Sequence, residues 1–373
     1  MILLVLGGAA LASSDSTGTT PGNFLKLGGG ARPVSMGGAF VGLADDINAV
    51  YWNPAGLTQN KAMSFTSMFN NYLAGITYTN LALTFGDPNM PLSTGLAIDY
   101  LSAGAIDETT AGAPTGTGKT FTPTAFSLTM PFAFQIIEPL SVGFNAKIMS
   151  DKISTGEAFG YGLDLGALWK ITNEISVGFC ARDLLGALME THATLPQTTT
   201  ALASNFALGM SYRLPSWKIA LDYNQPNDNQ GTINLGAEYS LSDIFYGRLG
   251  FSTRSEASAG GNMSAGLGLK VSIIKLDYAY TPYADLGASH RIAFSLVFPE
   301  GKPALVTAEA QTGTSEAKTK APVPVQISKP ATPEAPAIEK GPEVVVKKVV
   351  VTKKVTVVKK KPVKKPIKKP LPR

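Results

Sequence analysis

From Met63 to Phe298 apolar residues recur at every second position, broken only by short clusters of turn-forming residues. Lys218-Ile-Ala-Leu-Asp-Tyr223 alternates strictly, and so does Thr232-Ile-Asn-Leu-Gly-Ala-Glu-Tyr239. Met263, Ala265, Leu267, Leu269 and Val271 share one face, and Ile292, Phe294, Leu296 and Phe298 close the series. Strand side chains point alternately to opposite faces, so period two means one apolar face and one polar or small face. About fourteen such runs fit, most of them near the ~9–11 residues that a tilted strand needs to cross a bilayer.

The connections between runs alternate in length. Leu214-Pro215-Ser216, Ser240 to Phe245, Ile171 to Glu174 and the Ser272 junction are short. Gly104 to Thr120, Leu184 to Ala201, Arg254 to Gly261 and Thr281 to Ala288 are long. Tight turns on one side and longer loops on the other mark an up-and-down barrel in an outer membrane; a soluble sandwich has no reason to sort its turns. The first hairpin, near Leu73-Ala74, is an exception. The fold class read here is all-β, a transmembrane antiparallel β-barrel of about fourteen strands over residues 63–298. The apolar face then meets outer-membrane lipid. Asp99, Lys147, Asp164, Lys218, Asp222, Glu238, Arg248, Lys275 and Asp277 line the lumen, because a charge facing lipid costs about 2–4 kcal/mol at the midplane. An even strand number places both barrel ends on the periplasmic side. No apolar run of about 18 residues occurs, so no transmembrane helix is expected.

Residues 13–62 differ. Ser35 to Leu57 is the one long stretch before the tail without alternation. Pro33 suits the first turn of a short helix, and Met36, Phe40 and Leu43 fall on one helical stripe. Asp45-Asp46 and Asn48 end that stripe. Asn53-Pro54-Ala55-Gly56 reads as a turn in which Asn and Gly tolerate left-handed backbone. A short helical plug or hatch is expected, with Trp52, Asn53, Pro54, Ala55 and Gly56 against the inner wall.

Residues 1–12 read as the end of an export signal, with cleavage after Ala12, although no Lys or Arg precedes the apolar run. Residues 299–373 form a Pro/Lys/Val-rich tail that cannot bury enough apolar area to offset its ordering entropy, so a disordered periplasmic segment is expected. The tail holds 17 basic and 6 acidic residues, leaving 15 basic and 21 acidic in the rest of the chain. The net charge of +5 therefore belongs to the tail, and nucleic acid is excluded as a partner of the body.

Phe24-Leu-Lys-Leu-Gly-Gly-Gly-Ala-Arg-Pro-Val-Ser-Met-Gly-Gly-Ala-Phe40, Ala44-Asp-Asp46 and Tyr51-Trp-Asn-Pro-Ala-Gly-Leu57 strongly resemble the start of the PorV/PorQ family of outer-membrane proteins. Leu276-Asp-Tyr-Ala-Tyr280, Asp285-Leu-Gly287 and Ser289-His-Arg-Ile292 resemble its end. That family is similar to the fatty-acid transporter FadL, a fourteen-stranded barrel whose N-terminal hatch also carries an Asn-Pro-Ala turn. The resemblance implies a non-enzymatic, plugged barrel that binds or shuttles secreted or surface proteins, as family members do in type IX secretion, with secreted cargo and a translocon as partners. The likeness to FadL implies an alternative, transport of a hydrophobic ligand. A third reading has the basic tail anchoring the barrel to the cell wall or another periplasmic partner. The long tail departs from the family, which usually ends near the position of Phe298.

The remaining motifs are weak. Ala113 to Thr120 matches a loose phosphate-loop pattern, but no buried strand precedes it and no helix follows, so it is an outer loop. His192 has Asp183 and Glu190 near it in sequence, without the fixed spacing that a general base and its orienting carboxylate need. Cys180 alternates with Phe179 and reads as a lumen-facing, inert thiol; a single cysteine makes no disulfide framework and no cysteine metal site. Asp285, His290 and Arg291 are the rim candidates: His290 beside Arg291 begins the last strand, where one reading is rim packing or a salt link to Asp285 and the other is contact with a partner. Tyr278, Tyr280, Phe251, Phe294 and Phe298 read as an interface girdle. No cofactor, metal ligand or catalytic residue is expected.

Overall fold

The computed structural model describes residues 20–87, 90–191, 197–254 and 262–299. The leader, His192 and the tail after Pro299 lie outside the described residues. The strands are β1 (Ser64–Asn71), β2 (Thr77–Gly86), β3 (Leu92–Ser102), β4 (Ile106–Asp107), β5 (Thr120–Phe121), β6 (Thr124–Ile137), β7 (Leu140–Ile153), β8 (Gly156–Lys170) and β9 (Ile175–Thr191). They continue as β10 (Thr198–Ala201), β11 (Asn205–Arg213), β12 (Trp217–Pro226), β13 (Thr232–Leu241), β14 (Phe245–Ser252), β15 (Met263–Val271), β16 (Ile274–Pro282) and β17 (Ala288–Val297). Apart from the β4–β5 hairpin and β10, the other fourteen pair antiparallel with their neighbours, and β1 pairs with β17 to close the barrel.

The alternation expected from the sequence runs through the wall. Leu208, Leu221, Leu235, Leu249, Leu267 and Ile292 stand exposed on the outside, while Asp222, Glu238, Arg248 and Asp277 are buried inside. A continuous apolar exterior around a polar interior is the inverse of a soluble fold and suits a bilayer. Phe251, Tyr278, Tyr280 and Phe294 are on that exterior.

One end of the barrel carries the six tight connections from β2–β3 to β15–β16, together with the start of β1 and the end of β17. We call it the turn end, and the other the loop end. Two loop-end connections are short: β1–β2, and a two-residue turn at Ser154-Thr155 between β7 and β8. A second difference from expectation lies in β9, which continues to Thr191 where the sequence suggested a loop from Leu184. The β8–β9 register slips twice, pairing Leu165 with Ala181, Leu163 with Leu184 and Tyr161 with Ala187. β9 thus carries two extra residues, and Asp183 (φ 57°) and Leu185 (φ 53°) adopt left-handed backbone there. Each bulge resets the inside–outside phase, so period two could not be followed through this strand.

Residues 20–62 fill the lumen. The element α1 (Ala31–Ser35) is one short helix and α2 (Ala49–Trp52) another, with a 3-10 turn at each side, Asn23–Leu27 and Pro54–Gln59. The helix expected through Leu43 stops at Ser35, because Gly37 and Gly38 take positive φ. Met36, Phe40 and Leu43 are nonetheless fully buried, packed with Ile47, Val50 and Leu57. The turn at Asn53 also differs: Asn53 is extended (φ −161°), and its side-chain oxygen caps the following 3-10 turn at Ala55. The plug spans the lumen lengthwise. Thr20 and Lys26 bond Asp228 in the loop-end connection of β12 and β13, whereas Met63 leads into β1 at the turn end.

Candidate functional site

Between Lys26 and Lys61 the plug has three charges, Arg32, Asp45 and Asp46. A buried charge is tolerated only when paired, and all three meet the wall. Arg32 Nη1 donates to Asp45 Oδ1 (2.6 Å) and Asp46 Oδ2 (2.7 Å), and Arg32 Nε and Nη2 grip Glu238 at 2.7 and 2.8 Å. Lys218 Nζ reaches Asp45 at 2.8 Å, Arg248 Nε reaches Glu238 at 2.6 Å, Arg248 Nη1 reaches Asp277 at 2.8 Å, and Lys275 lies 3.4 Å from Asp277. Four cations and four carboxylates close into one neutral network joining plug to β12, β13, β14 and β16. Burial alone raises the Asp45 carboxyl, but Arg32 and Lys218 outweigh it and hold Asp45 well below the usual carboxylate range. The same balance, with Arg32 and Lys275 opposing burial, lowers Asp46.

Two further anchors use the plug backbone. Asp222 Oδ2 accepts the amides of Phe40 (2.6 Å) and Val41 (2.7 Å). Asn53 Nδ2 donates to Val41 O (2.9 Å) and to Ala167 O of β8 (3.0 Å). Trp52 Nε1 donates to Gly29 O, which ties two passes of the plug together. Glycines make the close approach possible. Gly143, Gly166, Gly178, Gly209, Gly236 and Gly250, on β7, β8, β9, β11, β13 and β14, all face plug atoms. A Cβ at Gly178 would sit 2.1 Å from Val41 O, and one at Gly250 would sit 1.9 Å from Gly37 N. The signal in the sequence was glycine at inward positions of successive strands, hidden by the abundance of glycine elsewhere.

The other sequence candidates separate. Lys147 bridges Asp164 (2.8 Å) and Asp183 (2.7 Å), and Asn145 Nδ2 ties Asp164 to Val50 O of the plug. Asp99 accepts from Tyr78 Oη (2.6 Å) and Asn80 Nδ2 (2.7 Å). Arg291 is not at the rim: it is buried, and its guanidinium donates to Gly28 O (2.6 Å) and Leu27 O (2.7 Å). His290 bonds Tyr278 Oη at 2.8 Å, and no salt link joins Asp285 to either residue among the described residues. Cys180 is wholly buried beside Val41 and Ala207. The phosphate-loop look-alike lies in the exposed β4–β5 hairpin.

Between plug and wall lies a cavity of about 20 Å³, lined by Asn48, Tyr51, Asn80, Ala97, Asp99 and Thr129 among others. A cavity of about 150 Å³ is what admits benzene, so this one has room for about one water. No cluster of metal-ligating side chains occurs among the described residues.

No family model and no curated protein sequence matches the chain. Solved structures do match in fold. The toluene transporter TbuX of Ralstonia pickettii superposes with a TM-score of 0.55 at 14% identity, covering 73% of this chain and 99% of that one. The CymD monoaromatic hydrocarbon channel gives 0.50 at 14%, covering 74% and 99%. The toluene transporter TodX of Pseudomonas putida gives 0.50 at 12%, covering 72% and 96%. At these identities the likeness is one of fold.

Proposed function

We propose that this chain is a non-enzymatic outer-membrane barrel that passes small hydrophobic molecules through its wall, with the plug and the segment after β10 as the gate. The observation that carries this reading is the break in β9. Between Ala181 and Ala187 the strand holds two left-handed residues, Leu185 is 84% exposed, and β11 pairs only below the break while β10 pairs only above it. Leu202 fills the gap, packed against Gly186, Gly162 and Gly22. On the lumen side its cluster includes Phe24, Leu25, Met149 and Leu188, an apolar lining that would suit a hydrocarbon once Phe24 and Leu25 withdrew. The fold is shared with barrels described as transporters of toluene and monoaromatic hydrocarbons. The loop end is read as facing outward, with the barrel ends and tail in the periplasm.

The test is uptake of labelled toluene by cells making the full chain or the Leu202→Trp variant. Wild-type uptake above that of barrel-free cells, abolished by the bulkier side chain, is the expected result. Equal uptake in all three rejects the reading.

A second reading rests on the PorV/PorQ resemblance at Phe24–Phe40 and Leu276–Ile292: the outer loops and rim dock secreted proteins. It is favoured by the apolar rim where Tyr72 stacks edge-on against Tyr283 (5.5 Å) and Leu286 is 70% exposed. Crosslinking in intact membranes followed by mass spectrometry separates the two; recovery of a translocon component or secreted cargo would favour docking.

A further inference from the structure

The inner wall treats the plug in two ways. On β7, β9, β11 and β15 the buried hydroxyls are engaged with the plug: Ser141 with Thr58 (2.7 Å), Ser176 and Ser211 with Gly42 O (2.6 and 3.1 Å), and Ser264 with Gly37 N (3.0 Å). On β2, β3 and β6 the hydroxyls of Thr84, Ser93 and Ser127 are buried and have no hydrogen-bond partner among the described residues. Most other buried atoms without a partner, such as Asp222 Oδ1 and Asn224 Nδ2, belong to groups whose other atom is bonded; Asp151 Oδ1 on β7 and Asn262 Oδ1 before β15 are the exceptions. A buried hydroxyl left unpaired costs about 1–3 kcal/mol unless something polar reaches it.

Three other features fall on the same wall. The cavity lies there, with Thr66, Asn80 and Thr129 exposed to it. Apart from Asn60 Nδ2 on Ser64 Oγ at the start of β1 and Lys61 Nζ on Met90 O in the β2–β3 turn, both 3.1 Å, the plug meets this wall through apolar side chains against Ala82, Ala97 and Ala133, contacts that are not directional. The β3–β6 ladder lapses below the cavity-lining pair Ala97–Thr129, between Thr94–Phe132 and Ala97–Thr129, where Pro131 brings no amide hydrogen.

We propose that the seam between the plug and β1, β2, β3 and β6 is a second, hydrophilic path, conducting small neutral hydrogen-bonding solutes of the size of urea and glycerol. The plug stays fixed to the glycine side and parts from this wall. The seam offers hydroxyls and amides, Ser127, Thr129, Asn80 and Thr66, as successive partners for a solute that has left water. Charge argues for neutral solutes, because both signs line the same cavity, Asp99 and Asp164 against Lys147, so an ion of either sign meets its like.

The experiment is osmotic swelling of liposomes containing the full-length protein, with urea, glycerol and sucrose as probes, on the wild type and on Ser127→Cys. That substitution is nearly isosteric, and the native Cys180, on the docked wall, serves as an internal control. Swelling in urea and glycerol above protein-free liposomes, with sucrose excluded, is expected. A neutral, hydrophilic thiol reagent should modify the introduced thiol, leave Cys180 untouched and return swelling to the protein-free rate. Swelling no faster than in protein-free liposomes, or an introduced thiol as inert as Cys180, overturns the proposal. The Leu202→Trp variant should swell like the wild type, so loss of hydrocarbon uptake and loss of polar flux report on different paths.

Discussion

The glycine-lined wall and the hydroxyl-lined wall are built from the same kind of strand, yet they hold the plug by different physics. On the first, missing side chains let two backbones approach, and Asp222, Asn53, Ser176 and Ser264 fix the approach with directional bonds. On the second, alanines of β2, β3 and β6 touch the plug while the buried hydroxyls of Thr84, Ser93 and Ser127 have no protein partner. Directional contacts fix one position; apolar contacts accept several of similar energy. A plug held in this way is fastened on one side and only rests on the other.

The comparison breaks most readily at Arg32. Replacing it with Ala leaves Glu238, Asp45 and Asp46 facing one another in the lumen, and stability should fall by about 3–5 kcal/mol. Thermal unfolding in detergent micelles reads this directly, and a loss below 1 kcal/mol would mean that the network does not hold the plug. Acid attacks the same network. Asp45 and Asp46 are lowered in the folded state, so their contribution is complete above the ordinary carboxylate pKa of about 4 and is lost as pH falls through their lower folded values. The part of the unfolding temperature that Arg32→Ala removes should therefore be constant from neutral pH to about pH 5 and shrink below about pH 4. A decline that begins near pH 6 would assign the network to some other group.

Gly250→Val should cost about 1–3 kcal/mol, because its Cβ would meet the Gly37 amide on a wall that cannot yield. Trypsin cleavage of the plug at Lys26 should accelerate in that variant, and unchanged protection would show that the plug can shift away from the glycine side. Asn53→Ala should cost about 1–3 kcal/mol through the unpaired carbonyls of Val41 and Ala167. Ser127→Ala, on the other wall, should be neutral within about 0.5 kcal/mol or slightly stabilising, since it removes a buried hydroxyl with no protein partner. A cost as large as that of Asn53→Ala would erase the distinction between the walls.

The wall was legible because alternation is a local signal. Lys218 to Tyr223 declares its inside and outside faces within six residues, and the strand stands as read. β9 was legible only as far as its first bulge, since one extra residue inverts every later assignment. The plug was recognisable as non-strand but not as a path: Gly37 and Gly38 end α1 where the apolar spacing continued as if helical. The nine charges assigned to the lumen could be placed by face, whereas their pairing depends on which residues lie abreast around a closed wall. Arg291 misled for a related reason. Its neighbour His290 faces outward at the rim, and one step along the strand put Arg291 inside on the plug carbonyls of Leu27 and Gly28.

The plug enters at one mouth and leaves at the other, with Thr20 bound at the loop end and Met63 feeding β1 at the turn end. Chain connectivity then constrains assembly. Once β1 and β17 have zipped together, residues 20–62 could take their place only by threading the lumen from one mouth to the other. Closure must therefore come last, with the wall wrapping a segment already collapsed against the glycine strands. The β1–β17 edge, adjoining the wall that grips least, is where the cylinder can stay open longest.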